Sequence, residues 1–128
     1  MPITVHAYSE LQDDNLRAQL IRLYETSPEF SDGESAVQQL SHAMQQGSLI
    51  YTAEFNQKLI GAVWVSQQGQ QENTRLIHYI VVHPANRGRG VAERLIEGVC
   101  TAEEEKGVTE FKPGCGAIHR CLSHLDKL

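Results

Sequence analysis

The sequence predicts an α/β domain in which helices flank a mixed central β-sheet. Its 128 residues suit one domain with one hydrophobic core, so we expect residues 1–128 to form a single unit. Short β-type apolar runs alternate with segments whose apolar residues recur every three or four positions, as they do on one face of a helix. A tight turn joins one pair of strands and a helix joins another, which predicts antiparallel and parallel pairing in one sheet.

A strand and two helices are expected in the first third of the chain. Residues 3–8 alternate between apolar and polar side chains, which is typical of a short strand. Two helical patterns follow, and Pro28 separates them because proline disfavours helical backbone at the residue before it. The second helix ends at Gly47. Its candidate N-terminal caps are Ser31, Asp32 and Ser35.

Three strands are expected in the middle of the chain. Residues 49–55 and 59–66 are β-type runs, and the three residues between them suit a hairpin turn, so these strands should pair antiparallel. Residues 67–73 are polar and contain glycine, which predicts an exposed connection. Residues 75–83 form a third strand, whose continuous apolar end indicates burial on both faces.

The last third predicts a helix, a strand and a short helix. Apolar residues from Val91 onward recur at helical spacing, and Gly107 is well placed to end that helix. The acidic run 103–105 near its end is interpreted as a solvated face. Residues 108–111 should form a strand parallel to the preceding one, and residues 118–125 a final helix.

Composition limits the classes of function. A formal charge of −5 with no broad basic face argues against a general nucleic-acid binder. No apolar stretch is long enough to span a membrane, and the first residues lack a secretory signal, so we expect a cytoplasmic protein. The cysteines, Cys100, Cys115 and Cys121, are odd in number and lack a disulfide framework, which predicts free thiols.

The turn between the third strand and the following helix is the most informative segment. Gly88 and Gly90 allow positive φ and close approach to a ligand, while the free N–H groups that open the helix point at an anion. Arg87 and Arg89 add charged hydrogen-bond donors. The segment therefore predicts a phosphate-binding turn, although a strand-to-helix turn can also be rich in glycine and arginine without binding anything.

The spacing of Arg87, Gly90 and Ala92 resembles the acetyl-CoA pyrophosphate motif of the GNAT acetyltransferase superfamily, and the order of elements is similar over nearly the whole chain. The resemblance implies the GNAT acyl-CoA N-acyltransferase fold, in which the strand ending at Val82 diverges from the strand at 108–111 and acetyl-CoA lies in the gap. The implied coenzyme contacts are the backbone of Ile80, Val81 and Val82 and the turn residues Asn86, Arg87, Gly88, Arg89, Gly90, Val91, Ala92 and Glu93.

Domains of this family continue with two more strands that wall the acceptor site, whereas this chain stops at Leu128. We therefore expect the fold to lack those strands. Either a partner subunit, as in a homodimer, completes the sheet, or the acceptor side is open. Acidic residues in the region that usually selects the acceptor either attract a cationic amine or form a hydrated surface. They are Asp13, Asp14, Glu25, Glu29, Asp32 and Glu34.

A narrower resemblance lies in the hairpin at residues 54–62, which is similar to a segment of the PanZ or PanM activators of aspartate decarboxylase. Those proteins bind acetyl-CoA and promote self-cleavage of the PanD precursor. The resemblance implies PanD precursor as a partner and Asn56 as a partner contact. Glu54 departs from the pattern, because that subfamily often has arginine there.

Amine acetylation needs a base that removes a proton from the acceptor. His78 and His83 flank the strand nearest the presumed thioester and are the candidate catalytic residues; the alternative is that they merely end or edge the strand. Active family members often place a tyrosine on the helix after the last central strand, but residues 111–128 contain none. This absence weakens the case for an enzyme and leaves a coenzyme sensor as a rival interpretation.

We predict no metal site. Cys115, His119, Cys121 and His124 are suitable zinc ligands by type, but His119 and Cys121 would point about 200° apart on one helix. The sequence thus predicts an acetyl-CoA-binding protein that regulates PanD self-cleavage. The alternative is an N-acetyltransferase that acts on a small amine or peptide.

Overall fold

The computed structural model describes residues 2–128, and in this range five strands form one sheet that four α-helices flank. The strands are β1 (Thr4–Tyr8), β2 (Leu49–Phe55), β3 (Lys58–Gln68), β4 (Gln71–Val82) and β5 (Glu110–Pro113). The helices are α1 (Asp14–Tyr24), α2 (Gly33–Gln45), α3 (Val91–Glu104) and α4 (Gly116–His124). A short 3-10 turn, Pro84–Asn86, precedes α3.

The sheet has the order β1-β2-β3-β4-β5. Each of the first three strands pairs antiparallel with the next, and β4 pairs parallel with β5. The predicted mixed α/β architecture is therefore confirmed. Neighbouring residues of a strand face opposite sides. Ile50 packs with α1 and α2, whereas Tyr51 packs with α3 and α4. The sheet is thus covered on both faces, and β4 contributes residues to both hydrophobic cores.

Two aspartates cap the N-termini of α1 and α2. Asp32 is the cap of α2 among the three candidates, because its carboxylate accepts a hydrogen bond from Ser35 N at 2.7 Å. Asp13 caps α1 in the same way, through Asn15 N at 2.8 Å. These local bonds explain where both helices begin.

Residues 67–73 are mostly exposed, as predicted, but the connection is shorter than those seven residues. β3 continues to Gln68 and β4 starts at Gln71, and Gln67 pairs with Arg75 across the ladder. Gly69, with φ of 58°, lies in the turn that joins them. Backbone hydrogen bonds hold this part of the hairpin, and they do not require apolar side chains. Hydrophobic patterning therefore gave no signal for it.

The solvated acidic face predicted at residues 103–105 is wrong for Glu103. This side chain is only 1% exposed and bonds Arg75 Nε at 2.9 Å, Lys106 Nζ at 2.9 Å and the hydroxyl of Tyr51. Val108 is also buried and donates its N–H to Glu103 O at 3.1 Å, so β5 begins two residues later than predicted, at Glu110. Glu103 thus joins α3 to the sheet.

No helix in residues 2–128 is both long enough and apolar enough to cross a lipid bilayer.

Candidate functional site

A β-bulge interrupts β4 in the middle of the sheet. Ala62 pairs with Val81 and Trp64 with His78, so Tyr79 and Ile80 together oppose one residue of β3. Tyr79 has φ of 57°, a backbone conformation that is uncommon for a residue other than glycine. Bulges of this kind change the direction of a strand and often lie beside functional sites.

Tyr24 of α1 stabilises the bulge. Its hydroxyl donates to Tyr79 O at 2.7 Å, and its ring packs edge-on against Trp64. Burial raises the pKa of Tyr24 far above its usual range, so the hydroxyl remains a donor. The first helix thereby holds the unusual backbone of β4 in place.

Replacing Tyr24 by phenylalanine should lower the free energy of unfolding by about 1 kcal/mol, because the carbonyl of Tyr79 loses its donor while the ring remains. Urea unfolding followed by the fluorescence of Trp64, the one tryptophan of the chain, measures the change. An unchanged midpoint and slope would show that this hydrogen bond contributes nothing.

β4 and β5 separate just before the bulge. Their pairing ends at Ile77 and Pro113, and Gly114 N then donates to Ile77 O at 2.8 Å. A Cβ on Gly114 would lie 2.6 Å from Cβ of His78, so glycine is needed where the chain passes β4 and turns away. Within residues 2–128 no strand pairs with the remainder of β4 on this side. A gap opens there.

Alternate residues at the end of β4 direct their backbone groups into the gap or toward β3. His83 N donates to Ile60 O at 2.8 Å, so the peptide groups of Val81, two residues earlier, also face β3. A carbonyl of a trans peptide points opposite to the N–H that follows it, so the carbonyls of Ile80 and Val82 face the gap. The carbonyl of Val82 accepts from Arg87 Nε at 3.1 Å.

The turn after β4 has the predicted backbone. Gly88 has φ of 76° and Gly90 has φ of 79°, which confirms the positive φ expected at both glycines. Gly90 is the N-cap residue of α3, and no side chain caps this helix, which is 14 residues long. Its first N–H groups are therefore free to bind an anion.

A cleft of about 540 Å³ lies between this turn and α4. Ile80, Val81 and Arg89 do not line it. Sequence reasoning missed its second wall, which Ala117, Arg120, Cys121 and His124 of α4 form. The turn side consists of the predicted residues Val82, Asn86, Arg87, Gly88, Gly90, Val91, Ala92 and Glu93.

The spacing of the missed residues on α4 was the available signal, because positions 117, 120, 121 and 124 lie three and four apart and share one face of a helix.

Cys121 is largely buried, and burial raises the pKa of its thiol. In residues 2–128 no three potential ligands among His, Cys, Asp and Glu are grouped to hold a metal ion.

The two candidate catalytic histidines lie in different surroundings. His78 is half-buried beside the bulge, and its Nε2 lies 3.2 Å from Oγ of Ser66. Burial lowers the pKa of His78, so its imidazole is neutral at pH 7. His83 is exposed, and its Nδ1 accepts from Ala85 N at 3.1 Å in a cleft on the α1 side of the sheet. The structure does not bring the two together.

Aromatic rings fill the space between the bulge and the α1–α2 connection. Phe30 stacks on Trp64 at a centroid distance of 5.7 Å and packs against Tyr79 at 5.1 Å. Tyr79 also packs against His78 at 4.5 Å. None of the clefts described in residues 2–128 is lined by these four side chains.

Several acidic residues near the α1–α2 connection have structural roles. Asp13 and Asp32 cap helices, and Oε1 of Glu25 accepts from Gly33 N at 2.7 Å. Gly33 itself lies so close to α1 that an added Cβ would be 1.9 Å from Ile21 O. These carboxylates are thus already engaged with backbone N–H groups.

The hairpin between β2 and β3 turns through Asn56 and Gln57, with φ of 52° and 65°. Asparagine is favoured in two-residue turns of this shape, so the turn itself accounts for Asn56. Its side chain is exposed at the tip. Glu54, at the position where the resembled subfamily often has arginine, has its Oε2 2.8 Å from Nε2 of His6.

Comparison with known proteins places this architecture among acetyltransferases. Residues 8–117 match the sequence model described as the Acetyltransferase (GNAT) family. No curated protein sequence matches the chain.

The chain resembles solved structures in fold. Ribosomal-protein-alanine N-acetyltransferase from Brucella melitensis biovar Abortus 2308 is 16% identical, with 89% of this chain and 80% of that chain covered and a TM-score of 0.71. N-acetyltransferase from Staphylococcus aureus Mu50 is 11% identical, with 98% and 83% covered and a TM-score of 0.71. Aminoglycoside 6'-N-acetyltransferase complexed with coenzyme A is 19% identical, with 84% and 57% covered and a TM-score of 0.67.

Proposed function

The chain belongs to the GNAT acetyltransferase family, and from that premise we propose that it binds acetyl-CoA in the cleft between the glycine turn and α4. The observation that carries this proposal is the separation of β4 from β5 beyond Ile77 and Pro113, directly beside the uncapped N-terminus of α3. The free N–H groups and Arg87 suit the pyrophosphate. The backbone of Ile80 and Val82 suits the pantetheine amides.

Arg87 links the two parts of the proposed site. Its Nε donates to the Val82 carbonyl, which is the acceptor that a pantetheine N–H would use. Coenzyme binding then requires the guanidinium to leave this carbonyl, and the released side chain is free to pair with a phosphate oxygen. Arg120 of α4 lines the opposite wall of the same cleft and adds a second cation.

We further propose that the coenzyme-bound protein regulates self-cleavage of PanD precursor. Three observations support a regulator rather than an enzyme: the hairpin resemblance, the lack of tyrosine on α4, and the aromatic rings packed beside the bulge. Asn56 is the proposed partner contact, and its exposure at the hairpin tip allows it to reach another protein. Cytoplasmic location and a homodimer remain predictions.

Mixing the purified chain with its cognate PanD precursor tests the regulatory proposal. Acetyl-CoA should promote association and change the rate of precursor cleavage. Asn56→Gly removes the side chain while keeping a residue that tolerates positive φ, so it should weaken association without unfolding the hairpin. Gln57→Gly is the matched control, since it makes the same change at the adjacent turn position. If acetyl-CoA alters neither association nor cleavage, the chain is not a PanD regulator.

An N-acetyltransferase acting on a small amine or peptide is the second candidate, and His78 favours it. A neutral imidazole beside the bulge can accept a proton from an amine, and Ser66 fixes the orientation of its Nε2. Thiol release from acetyl-CoA across a panel of amines tests this function. Steady turnover would support the enzyme, and release no faster than without protein would exclude it for those amines.

If His78 is the base, activity should persist below the ordinary histidine pKa. The neutral form is the active one, and burial lowers the pKa of His78, so kcat/KM should fall only when the pH drops through that lowered value. His78→Gln should abolish turnover, whereas His83→Gln should leave the position of the acid limb unchanged. An acid limb above the ordinary value would contradict this role for His78.

A further inference from the structure

A second cleft, of about 470 Å³, lies between α1, the turn of the β2–β3 hairpin and the end of β4. It shares no lining residue with the cleft beside the glycine turn. Arg22, Lys58 and His83 line it, and no acidic side chain does. These basic groups are grouped without an acidic partner in a chain that carries 16 acidic and 11 basic residues.

The donors in this cleft are uncommitted. Among residues 2–128, neither Arg22 nor Lys58 forms an ion pair or a side-chain hydrogen bond. Because Nδ1 of His83 accepts from Ala85 N, the ring proton lies on Nε2, and that nitrogen is a donor whether the ring is neutral or charged. Gln19 accepts from Leu59 N at 3.1 Å through Oε1, which leaves its amide N–H groups free.

Tertiary contacts hold in place the segments that carry these groups. The Gln19 bond to Leu59 fastens the hairpin to α1, and the His83 N–H bond to Ile60 O fastens the end of β4 to β3. Arg22, Lys58 and His83 thus come from three separate segments and meet at a cleft of the size that small ligands occupy. Such a convergence of free donors without an internal acceptor suits a negatively charged ligand.

We propose that this cleft binds an oxyanion, a carboxylate or phosphate group, at a site separate from the coenzyme cleft. Arg22 and Lys58 supply the charge, and Nε2 of His83 and the amide of Gln19 supply directed hydrogen bonds. This site does not depend on the proposed acetyl-CoA binding, because its residues belong to other elements.

Titration of the full chain with inorganic phosphate, and separately with succinate, at constant ionic strength tests the site. Nitrogen–proton NMR spectra should show saturable shifts of the Leu59 and His83 amides. The Arg22→Gln/Lys58→Gln double variant should raise the dissociation constant at least about tenfold, since it removes both charged donors. Arg94→Gln, on α3 and outside the cleft, is the control with the same loss of charge per residue, and it should have no effect.

Each outcome assigns or removes the site. Saturable binding of phosphate alone assigns a phosphoryl ligand, and binding of succinate alone assigns a carboxylate. If neither probe shifts these amides, or if the double variant binds as tightly as the unmodified chain, the proposal is overturned. Phosphate bound at the glycine turn would instead shift Gly88 and Gly90. Repeating the titration with the Arg87→Ala/Arg89→Ala variant separates this proposal from the coenzyme proposal, because the anion cleft should be unaffected.

Discussion

Replacing Glu103 by alanine is expected to lower the free energy of unfolding by about 3 to 5 kcal/mol, because removing one member of a buried ion network leaves its partners uncompensated. Glu103 is 1% exposed and Arg75 is 16% exposed, and Tyr51 donates to the same carboxylate from β2. The substitution therefore strands a guanidinium and a hydroxyl between α3 and the sheet. A loss of this size is a large part of the stability of a small domain.

Urea unfolding measures the effect, and the adjacent residue provides the control. Glu104 also pairs with a lysine, Lys127, at 2.8 Å, but both side chains are more than a third exposed. Glu104→Ala should therefore cost at most about 1 kcal/mol. Equal losses in the two variants would show that burial of Glu103 does not matter to stability.

The same network predicts a pH dependence of stability. Burial alone would raise the pKa of Glu103, but hydrogen bonds from Lys106, Tyr51 and Arg75 outweigh it and hold the pKa below its usual range. The unfolded chain then binds a proton more readily than the folded one, so this contribution is present at neutral pH and is lost as the pH falls through the lowered pKa. Glu103→Gln should flatten the acid side of the stability profile, and an unaltered profile would contradict the assignment.

The Arg87→Ala/Arg89→Ala variant is expected to bind acetyl-CoA about 1 to 3 kcal/mol more weakly, the scale of lost hydrogen bonds from charged donors. Calorimetric titration measures this change. Arg87 lines the cleft and Arg89 does not, so Arg87→Ala alone should account for most of the loss. Free coenzyme A should lose as much affinity as acetyl-CoA, because the pyrophosphate is common to both.

Arg94→Ala is the matched control for the coenzyme experiment. Arg94 lies on the first turns of α3 but bonds Glu97 at 3.1 Å and does not line the cleft. It tests whether a general loss of positive charge near the helix weakens binding. Unchanged affinity in the double variant would mean that the turn does not hold the pyrophosphate.

The periodicity of apolar residues predicted the helices and the central strands, because burial of one face fixes the spacing of apolar residues within each helix or strand. The turn between β4 and α3 could also be predicted from the sequence, because its backbone adopts positive φ at Gly88 and Gly90, where glycine is favoured. By contrast, residues 67, 68 and 71–73 are polar although they belong to paired strands, and ladder hydrogen bonds do not depend on side-chain type. The last strand was placed two residues early for a related reason, because Val108 is apolar but packs in the core without pairing.

The chain's local patterns were enough to predict its fold class and one side of the cleft that we propose for the coenzyme. The other side, on α4, and the burial of Glu103 came only from the folded arrangement. So did the positive φ of Tyr79, which Tyr24 supports from 55 residues away. Contacts of this kind join distant segments, and no local pattern records which segments will meet or which polar groups will find partners when they do.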